Sequence, residues 1–115
     1  MTTTNLSVSV LSVDLEKPMM IEEDGVQREM IVRDAIQASL IYEADIITGK
    51  VDKFPTFEDR FKRFDLLKRL KDSNGSMEID SKEQSDLLKY VGENYSLPIH
   101  VIGQVKDVLM QDVSI

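Results

Sequence analysis

The stretch Met19-Met20-Ile21-Glu22-Glu23-Asp24-Gly25-Val26-Gln27-Arg28-Glu29-Met30-Ile31-Val32 decides the fold class. It sets an Asp-Gly pair between two runs that contain apolar residues. Both residue types tolerate the positive φ angles of a two-residue turn, so the stretch reads as a β-hairpin, although its glutamates are poor strand formers. Upstream, Leu6-Ser7-Val8-Ser9-Val10-Leu11-Ser12-Val13 opens with the polar/apolar alternation of a half-buried strand. Downstream the spacing becomes helical. The expected architecture is one small α+β domain, with a β-strand and hairpin over about 5–32 and about four helices over about 33–111.

Four helical stretches follow. Over 34–47, Ile36, Leu40 and Ile47, with Ala44 beside them, recur at helical spacing, and Gly49 stands where a C-terminal cap belongs. After a short linker over 51–55, Thr56-Phe57-Glu58-Asp59 reads as a capping box, and Phe57, Phe61, Phe64, Leu67 and Leu70 read as one apolar stripe of a core-facing helix. This helix is about 16 residues and so roughly 24 Å long. Met77-Glu78-Ile79 is a short extended link. Ser81 then reads as the N-cap of a helix with the stripe Leu87, Leu88, Val91 and Tyr95. Ser96 reads as the N-cap of a last helix that buries Ile99, Ile102, Val105 and Leu109, with Pro98 in its first turn.

At 115 residues, with 42% apolar and 30% charged side chains, the chain matches one globular domain. The absence of cysteine excludes disulfides, thiolate metal sites and thiol catalysis. The first residues show no basic-then-apolar leader, and no apolar run reaches the roughly 18 residues of a membrane span. A cytoplasmic protein is expected, in the host cell or carried in a virion if a phage encodes it. The net charge of −7 suits plain solubility and sets most of the surface against nucleic-acid phosphates.

That charge is sorted along the chain. Residues 1–49 carry a net −6, residues 50–71 a net +4 and residues 72–115 a net −5. A basic helix between two acidic segments favours a charge-complementary contact, and contact with a partner and neutralisation inside the fold both remain open. The candidate contact residues are Arg60, Arg63, Lys68 and Lys71 on the helix, with Glu22, Glu23 and Asp24 at the hairpin tip as their counterpart on a second copy. A solvated tip is the ordinary role of such an acidic run.

Two further patterns invite chemistry. Counting Asp72 as position 1, residues 72–83 place Asn74, Ser76, Glu78, Asp80 and Glu83 at the oxygen-ligand positions of an EF-hand, with Met77 where the sharp turn wants glycine. The same residues are accounted for by a helix stop at Asn74-Gly75 and a cap at Ser81, and this reading is preferred, with calcium binding kept as an alternative. The single histidine, His100, shares a helical face with Gln104 and Asp107, and no nucleophile motif accompanies it, so it reads as a solvated residue. No metal site, cofactor or enzyme activity is expected. Six methionines, among them Met19-Met20, Met30 and Met77, read as core filler.

Three stretches together resemble small accessory proteins of tailed bacteriophages and prophages. They are Lys17-Pro18-Met19 with Asp24-Gly25 and Val32-Arg33-Asp34-Ala35-Ile36; Lys62-Arg63-Phe64-Asp65-Leu66-Leu67 with Met77-Glu78-Ile79-Asp80-Ser81-Lys82-Glu83; and Leu87-Leu88-Lys89-Tyr90-Val91-Gly92-Glu93-Asn94-Tyr95-Ser96 with Gly103-Gln104-Val105. The resemblance covers most of residues 14–109 and transfers no site residue. It implies a phage context: an assembly helper, a virion component or a small protein that engages a host factor. With no catalytic motif in the chain, a non-enzymatic interaction protein is expected, docking onto a phage structural protein or a host factor, and its basic and acidic patches permit a head-to-tail homo-oligomer. An acidic imitation of DNA is a further alternative, and the basic helix counts against it.

Overall fold

The computed structural model describes residues 2–42 and 57–111. In chain order they form β1 (Thr2–Asn5), β2 (Met20–Glu23), β3 (Val26–Glu29), α1 (Val32–Leu40), α2 (Phe57–Asp72), β4 (Ser76–Ile79), α3 (Ser81–Gly92) and α4 (Ile99–Leu109). Three strands precede the helices around a single core, an α+β fold as the sequence predicts, and the expected extended link at 77–79 is a fourth strand set between α2 and α3.

The hairpin forms with Met20 opposite Glu29 and Glu23 opposite Val26. Asp24 (φ 53°) and Gly25 (φ 79°) both occupy the left-handed region, the combination a tight two-residue turn requires. The other sheet departs from expectation. The regular strand near the start is β1, antiparallel to β4 with Thr2 opposite Ile79, whereas residues 6–13 make only single bridges, Ser9 to Ile31 and Leu11 to Pro18. Leu6 and Val10 are nevertheless fully buried and Val8 packs on the core. The amide of Leu6 donates to Gly75, that of Val10 to Met30 and that of Ser12 to Lys17, while Val8 accepts from Val32. The alternation thus records burial, but the hydrogen bonds go to several different places instead of one neighbouring strand.

α1 begins two residues before the expected start and ends at Leu40; the expected continuation beyond Tyr42, Gly49, the linker over 51–55 and the Thr56 cap lie outside the described residues. Its first turn is held by Asp34, which accepts from the Ile31 amide at 2.9 Å and from both terminal nitrogens of Arg28 at 2.7 and 2.8 Å. Burial of Asp34 disfavours its charge, yet these donors outweigh that cost and hold the carboxyl below its ordinary pKa.

Two caps also differ from the sequence reading. The N-cap of α3 is Asp80, not Ser81: its Oδ1 accepts from the Glu83 amide at 2.7 Å while Glu83 accepts from the Asp80 amide at 3.0 Å. Asp80 and Glu83 stand three apart and complete the reciprocal box, which shifts the start by one residue. The N-cap of α4 is Pro98. Ser96 instead closes a turn on Asn94, whose Oδ1 accepts from the Ser96 amide; Asn94 is itself fully buried and donates to Ser39 on α1.

α1 packs against α2, α3 and α4 and so lies at the centre. The fully buried side chains include Leu6 just after β1, Ile79 of β4, and Ile36, Leu70, Leu87, Val101 and Leu109 from the four helices. Met30 and Met77 are buried among them, while Met20 and Met110 are exposed. Two polar ties bind distant parts. Arg33 of α1 donates to the carbonyls of Leu70, Lys71 and Ser73 at the C-terminal end of α2 and just beyond it, where helical amide partners run out. Gln104 of α4 grips the backbone of Leu11, accepting from its amide at 2.7 Å and donating to its carbonyl at 2.9 Å.

Candidate docking surface on helix α2

α2 does not bury the stripe its sequence suggests. Phe57, Phe61 and Phe64 are 74, 58 and 55% exposed, and the buried residues of the helix are Leu66 and Leu70, with Leu67 partly covered. The reason is geometric. A helix turns about 100° per residue, so each step of three falls about 60° short of a full turn. The row Phe61, Phe64, Leu67, Leu70 therefore winds around the helix, and its two ends face opposite ways. Leu70 meets the core; Phe61 meets solvent.

The basic residues divide in the same way. Arg63 points inward: only 15% of its side chain is exposed, Nε lies 3.2 Å from Asp59, Nη1 donates to the Tyr42 carbonyl at 2.8 Å, and the guanidinium sits 4.6 Å from the Tyr90 ring centroid. Tyr90 is buried and donates to Asp59 at 2.9 Å. Burial, this hydrogen bond and the charges of Asp59 and Asp86 push its hydroxyl up to about 12, with the Arg63 guanidinium opposing. Arg69 is bound to Glu83 and to the Glu78 carbonyl. Part of the basic charge is thus neutralised inside the fold, and Arg63 is a packing residue, not an outward contact.

The outward residues are Arg60, Lys68 and Lys71, all exposed. Lys68 and Lys71 fall on the same face as the phenylalanines by helical spacing. Lys68 lies 5.0 Å from the Phe64 centroid and 3.4 Å from Asp65, an exposed ion pair of little energetic weight. Phe57 and Phe61 meet edge to face at 5.1 Å. Beside them, Phe57, Arg60, Phe61 and Phe64 line a depression of about 220 Å³. Phe64 also joins Leu67, Lys68, Leu70 and Lys71 with Arg33 and Gln37 of α1 around a groove of about 400 Å³. Sequence reasoning missed Arg33 and Gln37, whose place in the groove follows from how α1 packs on α2. It also placed the phenylalanines inside, although the rotation of the row was available as a signal.

The other sequence candidates are dispersed. Glu22, Glu23 and Asp24 are exposed at the hairpin tip, with Glu23 paired to Arg28. Residues 72–83 do not curl into a calcium loop: Ser76 and Glu78 lie in β4, paired with Asn5 and Thr3, and Asp80 and Glu83 are engaged in the cap of α3 and, for Glu83, with Arg69. Among the described residues, no three acidic, histidine or cysteine side chains gather as a metal site. His100 is half-buried, and its carbonyl accepts from Gln104; no hydrogen bond or ion pair between the described His100 and Asp107 side chains is present. Tyr95 and Ile99, expected to be buried, are 77 and 87% exposed, their places in the core taken by Tyr90 and Val101. No described helix is long and apolar enough to cross a membrane.

No family model, curated protein or solved structure matches the chain.

Proposed function

We propose that this is a non-enzymatic interaction protein that docks onto another protein through the outward face of α2, in the phage setting that its likeness to phage accessory proteins implies. One observation carries the reading: three phenylalanines of a single helix stand more than half exposed beside lysines. Burying such a ring recovers about 1.5–3 kcal/mol, and contiguous exposed apolar surface rimmed by charge is characteristic of protein contact sites. The lysine rim selects an acidic partner surface and speeds encounter with it. Phe57 and Phe61 lean on each other instead of standing apart as platforms for bases, and α2 carries four acidic residues among its six basic ones, which favours protein over nucleic acid.

The test compares capture from infected and uninfected host lysates by tagged wild-type protein, by Phe61→Ser/Phe64→Ser, by Lys68→Glu/Lys71→Glu and by Lys89→Glu as a control elsewhere on the surface. The reading expects the two α2 variants to lose, with folding intact by circular dichroism, a protein that wild type and control retain. Equal capture by all four would sink it.

A further inference from the structure

We infer that the partner this face fits is a second copy of the chain, docked head-to-tail by its β2–β3 hairpin. This rests on the docking role proposed above for α2. Hairpin and face match in both charge and apolar character. The hairpin tip presents Glu22 and Asp24, with Glu23 paired to Arg28 and the exposed Val26 opposite Glu23, and α2 presents Lys68 and Lys71 beside Phe61 and Phe64. The hairpin is also anchored to α1. Arg28 of β3 is held by Asp34 in the first turn of α1 and by Glu23 at the tip, a tie to the fold that limits the chain entropy lost on docking. The groove of about 400 Å³ lies at the small end of ligand-sized clefts, about 300–1,000 Å³, and has room for the few side chains of a turn.

The net charge of −7 repels copies at long range, but charges more than about 8 Å apart are largely screened at physiological salt, where the short-range match decides. The tip and the face are different surfaces, so the contact is heterologous and a pair of copies keeps one free tip and one free face. It repeats into rings or open chains.

Sedimentation velocity of the full chain over about 10 µM to about 1 mM covers the weak range expected for a contact of this size. Wild type is expected to gain mass with concentration. The tip variant Glu22→Lys/Asp24→Asn and the face variant Phe61→Ser/Lys68→Glu/Lys71→Glu, each shown to be folded, are expected to associate at least tenfold more weakly alone. Mixed in equal amounts they should recover association and stop at dimers, because the mixture holds one intact face and one intact tip per pair. A wild type that stays monomeric throughout, a mixture that does not associate, or a tip variant that associates like wild type overturns the inference. If the α2 variants still lose their captured protein in lysate while purified wild type stays monomeric, the docking reading stands and only the occupant named here falls.

Discussion

Truncating Phe61 separates a docking surface from a core, because the two roles differ several-fold in stability cost. A phenylalanine in the core loses about 3–5 kcal/mol on change to alanine, from lost transfer energy and the cavity left behind. Phe61 is 58% exposed, so well under half of its apolar surface leaves water on folding. That part is worth about 1 kcal/mol, the edge contact with Phe57 adds about 0.5 kcal/mol, and the better helix propensity of alanine returns about 0.5 kcal/mol. Phe61→Ala should therefore cost about 1 kcal/mol. Leu66→Ala, one and a half turns further on and only 6% exposed, should cost about 2–5 kcal/mol. Equilibrium urea unfolding followed by circular dichroism measures both, with unchanged denaturant slopes confirming that the same surface is exposed on unfolding. A loss above 2 kcal/mol for Phe61→Ala, or the reverse order of the two variants, would falsify the assignment of the faces of α2 and remove the basis for docking there.

Arg33→Ala strips a charged donor from the end of α2 and should cost about 2 kcal/mol, read as a fall of roughly 8 °C in Tm; faster amide exchange should be confined first to the last turn of α2. Asp34 is held below its unfolded pKa of 3.8, so its contribution is complete above that pH and disappears as pH falls through the lower folded value. Asp34→Asn should accordingly flatten the acid limb of a stability–pH curve, and an unchanged limb would refute the role of Arg28. Tyr90 has the opposite sign: its folded pKa is raised from 10.0 to about 12, so its stabilisation is whole below pH 10 and is lost as pH rises toward 12. Absorbance titration of tyrosinate should show a late phase that Tyr90→Phe abolishes. Millimolar calcium should leave Tm unchanged, since Asp80 and Glu83 are already committed to the cap of α3 and to Arg69.

What the sequence discloses follows from which interactions are local. The hairpin depends on Asp24-Gly25 and the extent of α2 on a periodic run, and both are legible from a few neighbouring residues. The start of α3 is blurred by one residue because Asp80 and Ser81 are both good caps, and only the partner at Glu83 decides between them. The burial of α2 is not local at all. A helix with apolar residues around more than half its circumference does not reveal which arc meets the core; α1 settles that, and it chooses Leu66 and Leu70. Arg63 illustrates the same limit for charge: nothing nearby in sequence announces that Tyr42 and Tyr90 will draw it inward. The candidate site was thus half legible, its cations visible as a cluster and its aromatic half hidden behind an assumption about the core.

Gln104 grips Leu11 across 93 residues, and β1 waits for β4. During translation at about 5–20 residues per second, Leu11 is without that clasp for roughly 5–20 s after it is made. For most of that interval, until β4 is made, β1 has no partner strand, and to its end the side of β1 that α4 packs against stays open, the kind of exposure that chaperones intercept. The closing of this fold is therefore a late event in the life of the polypeptide, set by the arrival of α4.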